Sequence, residues 1–505
     1  MAAFILSNLV GLVRQILIAN AFGTSRALDA FNAAQRLPDI LFNLVAGGAL
    51  ASAFVPAFTG FLTREDQAGA WRLASGVMNL VFVILCVASL LAALFAPLIV
   101  STTIGAGLGP TEQALAVELL RILLVSPALF GVSGLLMGIL NAHQHFLLPA
   151  LASTFYWLGM IFGLLVWTPA MGIHGLAWGA VLGAGLHLAI QLPGARRLEA
   201  RYSLDSGLGN PAVREVIRLM GPRLIGVAAV QLNFLVNVSL ATFLPGGASA
   251  LDYAWRIFTM PQVVIAQGIA IAALPTFSAM VARGEINAMR ASLADTLRGI
   301  LFLALPATVG LLVLGQPVIA LLFERGIFDA QSTALVTWAL MFYTLGLVSH
   351  SVVEIVSRAY YALKDTWTPV WIGATAMLIN IGLNFGLAVL FNRVNLPPHG
   401  GLALANTLAT TLEMIGLAWI MRRRLSGLDV TRIWPGLWRT LAASVLMGAI
   451  LLAWLIYTVR LSPWIVGLGG VVVGGLVFWV TAYALRAPEA RLLPEMILKR
   501  LRKRS

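Results

Sequence analysis

The chain has 505 residues, of which 60% are hydrophobic and only 10% are charged, and its formal net charge is +13. A water-soluble domain carries about 25% charged residues, so this composition excludes one and indicates a membrane protein with several spans. The single cysteine excludes an intrachain disulfide, and six scattered histidines leave no ligand cluster for a metal, so we expect neither a metal nor a cofactor.

Apolar runs of about 20 residues, the length that crosses the hydrocarbon core, recur along the whole chain. The first run has no basic region before it and carries Arg14 in its middle, which indicates a retained span rather than a cleaved signal peptide. The pattern predicts an all-α polytopic membrane protein. Fourteen spans are expected, near residues 4–22, 34–62, 74–100, 114–140, 147–168, 174–193, 221–243, 256–282, 299–323, 333–361, 368–391, 400–421, 437–458 and 464–485.

The basic side chains predict how these spans are oriented, because Lys and Arg concentrate in cytoplasmic loops. With a cytoplasmic N-terminus, 25 of the 33 Lys and Arg residues fall on the cytoplasmic side, five on the opposite side and three within spans. Both termini are therefore expected in the cytoplasm. The basic tail at 491–505 predicts contact with anionic lipids rather than with nucleic acid.

Three sequence similarities recur in the same order at offsets of 219 to 223 residues and indicate an internal repeat. ALDAFNAAQRLP matches ALDYAWRIFTMP, GGALASAFVPAF matches GIAIAALPTF, and NAHQHFLLP matches YALKDTWTP. The copies begin six spans apart and so have the same orientation, an arrangement that transporters with a central path use. The predicted domains are a six-helix lobe at 1–200, a second six-helix lobe at 201–425, an appended helix pair at 426–490 and the tail at 491–505.

Ionisable residues within spans are the main functional candidates, because their burial is costly. Arg14 has no charged partner on its own helix, which favours a water-accessible cavity for it. Asp29 and Asp252 occupy equivalent repeat positions, and a role at the start of a helix is favoured for them over a substrate contact. Arg36 has an uncharged counterpart in the second copy, so it is the better candidate for a substrate contact.

Other polar residues in the spans have structural interpretations. His187 and His350 stand alone and are expected to be hydrogen-bonded core residues. No nucleophile elbow, phosphate loop or paired catalytic carboxylate occurs, so we expect a transporter rather than an enzyme. Two acid–arginine pairs lie one helical turn apart and are expected to neutralise each other: Glu118 with Arg121, and Glu354 with Arg358.

The stretch SNLVGLVRQILIANAFG, followed by ALDAFNAAQRLPDILFNLVAGGALASAFVP, resembles the opening of the MurJ (MviN) lipid II flippases. These belong to the multidrug, oligosaccharidyl-lipid and polysaccharide exporter superfamily. GILNAHQHFLLPA, LDYAWRIFTMPQ and the predicted span count also fit that family. The resemblance implies a flippase of the bacterial plasma membrane that moves lipid II to the outer leaflet by alternating access. It also implies a part in peptidoglycan biosynthesis and cell shape, with cell-wall synthesis proteins as candidate partners.

The resemblance further implies roles for individual residues. The family's cavity arginines on the first and eighth helices fall on Arg14 and Arg256, and its basic residue before Leu-Pro falls on Arg36. The planar, always charged guanidinium suits the pyrophosphate of lipid II. The polyprenyl tail would lie in a groove made by the thirteenth and fourteenth spans. The expected gate or helix-cap residues are Asp29, Asp252 and Asp39.

The chain departs from the family pattern at several positions. Family arginines are replaced by Asn8 and Phe42, and family acidic residues by Gln15, Gly47 and Thr259. With fewer arginines the positive electrostatic field of the cavity is weaker. This affects which substrate the cavity would bind more than which fold the chain adopts. Some relatives look sodium-coupled through carboxylates in the C-terminal lobe. The corresponding polar candidates for an ion or polar cavity are Asn233, Asn237, Asn380 and Asn384.

Three alternative functions stay open at this point. The first is export of another polyprenyl-pyrophosphate-linked glycan or of a hydrophobic cation, although a cation exporter should place acids in its cavity. The second is a membrane glycosyltransferase or polymerase, which would need a catalytic carboxylate in a sizeable outer loop. The third is a non-transporting binder or scaffold in cell-wall synthesis, which the lost arginines keep open.

Overall fold

A computed structural model describes residues 2–45, 48–198, 202–204, 207, 209–458 and 460–490. Within these residues the chain forms 21 α-helices and four short π-helical segments, with no strand. The all-α prediction is confirmed. Tail residues 491–505 and Gly47 lie outside the described residues.

The first of two compact units contains Met1–Ser249 together with Arg325–Phe328. Its helices are α1 (Ala2–Phe22), α2 (Arg26–Val45), α3 (Gly48–Thr63), α4 (Gln67–Leu94), α5 (Ala96–Ile99), α6 (Pro110–Leu123), α7 (Ser126–Ala142), α8 (Leu147–Phe162), α9 (Thr168–Met171), α10 (Ile173–Ala189), α11 (Leu192–Arg197) and α12 (Pro211–Ala241), with π-helical segments at Val100–Ile104 and Gly163–Trp167.

The second unit contains Ala250–Glu324 and Asp329–Ser505, and the first three residues of α13 belong to the first unit. Its helices are α13 (Gly247–Gln262), α14 (Gly268–Ala282), α15 (Ile286–Phe323), α16 (Ala330–Leu345), α17 (Leu347–Ala362), α18 (Trp367–Arg393), α19 (Pro398–Arg424), α20 (Val430–Thr458) and α21 (Gly470–Ala484), with π-helical segments at Val263–Gln267 and Ile465–Gly469.

Ten helices, some of them continuous runs of two elements, are long and apolar enough to cross a membrane within the described residues. The bent pair α16–α17 supplies an eleventh. Three shorter apolar stretches lie at Leu6–Phe22, Ala53–Thr63 and Val230–Ala241. The chain is therefore a multi-pass membrane protein, and its described residues contain ten or eleven helices of spanning length.

Several predicted spans differ from the observed helices in their bounds, and the structure gives a physical reason for two of the differences. The run predicted at 34–62 corresponds to α2 and α3, and α2 already begins at Arg26 because the Ser25 hydroxyl accepts the Leu28 N–H at 3.3 Å. The span predicted at 333–361 is bent by 44° between α16 and α17. The bend lies at Gly346, where a Cβ would stand 2.8 Å from the Thr407 hydroxyl oxygen.

Each unit has its own hydrophobic core. In the first unit, Phe54, Phe58 and Leu73 are among the fully buried residues that join α3, α4 and α7. The second unit has one core around α14, α15, α17 and α19 and a separate one where α20 and α21 pack on α15. The unit boundary after Ser249 places α12 in the first unit, and the predicted four-part division stays a prediction.

Candidate functional site

Asp29, in the first turn of α2, is fully buried and binds the start of α13. Its carboxylate accepts the Gly246 N–H at 2.7 Å, the Ser249 N–H at 2.8 Å and the Ser249 hydroxyl at 2.7 Å. Those two amides are among the donors that a helix leaves unsatisfied at its N-terminus. The carboxylate thus caps a helix that lies more than 200 residues away in sequence, and nearby Arg26 donates to the Thr242 carbonyl at 2.9 Å.

Arg36, two turns further along α2, lies against α12. Its guanidinium carbon is 5.2 Å from the centroid of the Phe234 ring. Its Nε is buried and has no hydrogen-bond partner among the described residues, and none of their carboxylates pairs with it. Next to Phe234 on α12, the Asn237 amide donates to the side-chain oxygen of Asn233 at 2.5 Å. Arg36, which pairs with no carboxylate in the part of the chain that the structure describes, therefore lies beside a polar and aromatic face of α12.

Arg14 in the middle of α1 is 3% exposed and packs against α8. Its guanidinium carbon lies 4.1 Å from the centroid of the Trp157 ring, and Nη1 is 3.5 Å from the Met160 sulfur. The neighbouring Gln15 amide oxygen accepts from Nη2 at 2.9 Å. The contacts described for this arginine are thus an aromatic face, a thioether and a neutral amide.

In the second unit, Arg256 pairs with Asp252 one turn earlier on α13. The Nε to Oδ2 distance is 2.7 Å, and the two side chains are 37% and 26% exposed. Repeat-equivalent Asp29 and Asp252 therefore differ in their contacts: one caps a helix start and the other neutralises an arginine. Asp39 is half-buried beyond Pro38 in α2.

Asn380 and Asn384 on α18 form a buried pair. Asn384 donates to Asn380 at 2.8 Å, and both side chains are at most 1% exposed. The Asn380 amide nitrogen and the Asn384 amide oxygen find no hydrogen-bond partner within the described part of the chain. One donor and one acceptor are thereby left over in a buried site, where an unmade hydrogen bond is costly.

The predicted structural pairs have mixed outcomes. Glu354 and Arg358 form the expected ion pair at 2.5 Å. The predicted pairing of Glu118 with Arg121 is wrong: Glu118 contacts His174 of α10 at 2.9 Å, and Arg121 donates to the Ala93 carbonyl at 3.2 Å.

The two solitary histidines are hydrogen-bonded core residues, as expected. His187 contacts the Ser133 hydroxyl at 2.6 Å, and His350 contacts the Asn406 amide oxygen at 3.2 Å. No group of three or more His, Cys, Asp or Glu side chains in the described ranges is arranged to hold a metal.

Sequence reasoning missed Glu413 in the middle of α19. Its carboxylate faces α18, where a Cβ on Gly373 would lie 3.3 Å from Oε1. No ion pair or hydrogen bond links it to another residue that the structure describes. The sequence does contain a signal for Glu413, because a lone acidic residue within an apolar span is itself a functional candidate.

Comparison with known proteins decides the family to which this arrangement belongs. The family model described as lipid II flippase MurJ matches residues 18–471. The chain belongs to the MurJ family. A solved structure described as lipid II flippase MurJ in an inward closed conformation is similar with a TM-score of 0.81 and 25% identity, over 95% of this chain and 97% of that one.

Relatives of known name agree with the MurJ assignment. The lipid II flippase MurJ of Burkholderia cenocepacia is 29% identical over 83% of this chain and 82% of its own length. The probable lipid II flippase MurJ of Rhizobium meliloti is 32% identical over 75% and 72%. An inward-facing multidrug transporter of the MATE family shares the fold, with a TM-score of 0.70 at 17% identity over 84% of this chain and 96% of that one. These relatives are named as flippases and transporters, not enzymes.

Proposed function

We propose that this protein is a lipid II flippase of the bacterial inner membrane, which moves the lipid-linked peptidoglycan precursor to the outer leaflet by alternating access. The observation that carries the proposal is the MurJ family match over residues 18–471. Alternating access is supported by the similarity in fold to a MurJ structure in an inward closed conformation and to a MATE transporter in an inward-facing one.

Arg36 is the first contact of the substrate pyrophosphate in this proposal. Its guanidinium lacks an acidic partner among the described residues, so a phosphate would meet an uncompensated charge. Arg14 adds positive field from a buried position on Trp157. Arg256 takes part by exchanging Asp252 for the pyrophosphate, and Asp252 would thereby compete with the substrate for the same guanidinium.

Asp29 acts in this scheme as a gate and cap residue rather than a substrate contact. Its three hydrogen bonds to Gly246 and Ser249 occupy both carboxylate oxygens. Asp39, on the same helix, is proposed as a further gate or cap residue. The pairs Asn233–Asn237 and Asn380–Asn384 are proposed as polar cavity or ion-binding positions, supported by the orphaned amide atoms of the second pair.

The proposed architecture has fourteen spans, arranged as two parallel six-helix lobes with an appended pair. Support comes from the described residues, whose helices of spanning length and shorter apolar stretches overlap the predicted runs. The separate core of α15, α20 and α21 supports an appended pair that carries the lipid tail. Both termini are placed in the cytoplasm, with the basic tail on anionic lipids and with cell-wall synthesis proteins as candidate partners.

Complementation of a MurJ-depleted cell tests the function. Arg36→Ala and Arg256→Ala should each abolish growth at normal expression levels, because each removes a guanidinium that would bind pyrophosphate. Arg72→Ala, which removes an exposed arginine on α4, is the matched control and should grow normally. Unimpaired growth of both test variants would contradict the proposed binding site, and failure of the wild-type chain to complement would contradict the function.

A further inference from the structure

The last turn of α19 and the loop after it form a small basic groove. It has a volume of about 390 Å³ and is lined by Trp419, Arg422, Arg423, Ser426 and Gly427. We refer to these five residues as the α19 groove. None of them belongs to the candidate substrate site, so a ligand here is independent of the proposed function.

The α19 groove carries two arginine side chains, Arg422 and Arg423, that form no ion pair with another described residue. The next residue, Arg424, pairs with Asp365 at 2.7 Å, and the acid that follows in the loop, Asp429, pairs with Arg290 at 3.0 Å. In the described ranges no carboxylate pairs with Arg422 or Arg423. The neighbouring acids are thus occupied by other arginines, and the groove itself is cationic.

The groove also has the geometry for a flat anion. The guanidinium carbon of Arg423 lies 3.7 Å from the centroid of the Trp419 ring. A guanidinium stacked on an aromatic face keeps its in-plane N–H groups available, which suits the oxygens of a phosphate. Trp419 is itself 52% exposed, and a tryptophan beside arginines is typical of the membrane–water interface.

The end of a helix normally repels an anion, because its last carbonyls carry partial negative charge. Here three of those carbonyls accept hydrogen bonds: Met421 O from the Leu425 N–H at 3.0 Å, Arg422 O from the Gly427 N–H at 2.8 Å, and Arg423 O from the Ser426 N–H at 3.4 Å. Just beyond the helix, Leu425 O accepts from Arg290 at 3.3 Å. The turn is possible because Ser426 and Gly427 have φ values of 53° and 132°. The carbonyl repulsion is thereby reduced, and the arginine charges dominate.

An apolar strip leads along α19 to the groove. Leu412 and Ile415 are 47% and 54% exposed and are spaced at helical intervals from Trp419. A ligand with both a phosphate and an acyl chain would cover the groove and the strip together. We propose that the α19 groove binds the phosphate headgroup of an anionic phospholipid, with Arg422 and Arg423 on the phosphate and an acyl chain along Leu412, Ile415 and Trp419.

The test measures lipid binding to the full-length protein in detergent micelles doped with phosphatidylglycerol or phosphatidylcholine, with bound lipid counted by native mass spectrometry. The variant R422Q/R423Q should bind phosphatidylglycerol about twenty-five-fold more weakly, since each arginine near a membrane surface contributes roughly a five-fold change. R423K keeps the charge but loses the stacked planar group, and should bind a few-fold more weakly. The matched control R196Q/R197Q removes another adjacent, exposed arginine pair, at the end of α11, and should bind as the wild type does.

Four results would overturn the proposal. These are unchanged phosphatidylglycerol binding by R422Q/R423Q, an equal loss in R196Q/R197Q, equal binding of phosphatidylcholine by the wild type, and displacement of the lipid by millimolar inorganic phosphate. The last would assign the groove to free phosphate rather than to a lipid. Co-elution of each variant with the wild type in size-exclusion chromatography shows that the variant is folded. If R422Q/R423Q does not fold, the few-fold weaker binding expected for R423K still tests the proposal.

Discussion

Replacing Asp29 should destabilise the first unit through the start of α13. Asp29→Ala leaves three buried donors, the Gly246 N–H and the Ser249 N–H and hydroxyl, without their acceptor. Each unsatisfied buried donor costs roughly 1–3 kcal/mol, and loss of a helix cap alone about 1 kcal/mol. Because these costs overlap, we expect a loss of about 3–5 kcal/mol for Asp29→Ala. Ser249→Ala removes one of the three bonds and should cost about 1 kcal/mol.

Thermal unfolding of the purified variants in detergent measures this effect. A change of 1 kcal/mol shifts Tm by about 2–4 °C in units of this size, so Asp29→Ala should lower Tm by roughly 6 °C or more. In a double-mutant cycle, Ser249→Ala should add much less to Asp29→Ala than it costs alone, because the two residues share one interaction. A wild-type Tm for Asp29→Ala, or full additivity with Ser249→Ala, would refute the capping role.

Two further predictions concern the second unit. Burial raises the pKa of Asp365, but hydrogen bonds from Thr368 and the charge of Arg424 outweigh it and hold this pKa below its ordinary value. Ionised Asp365 therefore stabilises the folded protein at neutral pH, and this stabilisation is lost as the pH falls through the lowered pKa. Asp365→Asn should cost about 1 kcal/mol at pH 7, and its Tm difference from the wild type should begin to shrink near the ordinary aspartate pKa of about 4 and vanish only below the lowered pKa. A Tm difference that is independent of pH would contradict this. For Asn380 and Asn384, whose leftover donor and acceptor are buried, the double Leu variant should raise or preserve Tm while reducing transport, and a drop in Tm with normal transport would show a purely structural pair.

Apolar runs and charge were enough to predict the helical class and the position of most helices. The same signal could not fix where α2 begins, because Arg26 and Asp29 are polar and the helix start depends on the Ser25 hydroxyl. Hydropathy also does not predict the bend between α16 and α17 at Gly346, where the helix backbone closely approaches the Thr407 side chain.

The contacts of the polar residues depended on partners that are distant in sequence. The repeat indicated that Asp29 acts at a helix start, but the helix that it caps is α13, more than 200 residues away. Spacing along one helix suggested that Glu118 pairs with Arg121, whereas the acid reaches His174 on a neighbouring helix. Glu354 and Arg358 were predictable because both partners lie on the same helix and no competing group intervenes.

The proposed function requires that the chain flips lipid II through a site that includes Arg36. Purified protein reconstituted in vesicles with labelled lipid II tests it, by measuring how fast the label becomes accessible from the opposite leaflet. We expect rapid flipping by the wild type, loss of flipping by a correctly folded Arg36→Gln variant, and normal flipping by Arg72→Gln. Equal flipping by wild type and Arg36→Gln would contradict the assigned site, and a wild-type rate no faster than empty vesicles would contradict the function.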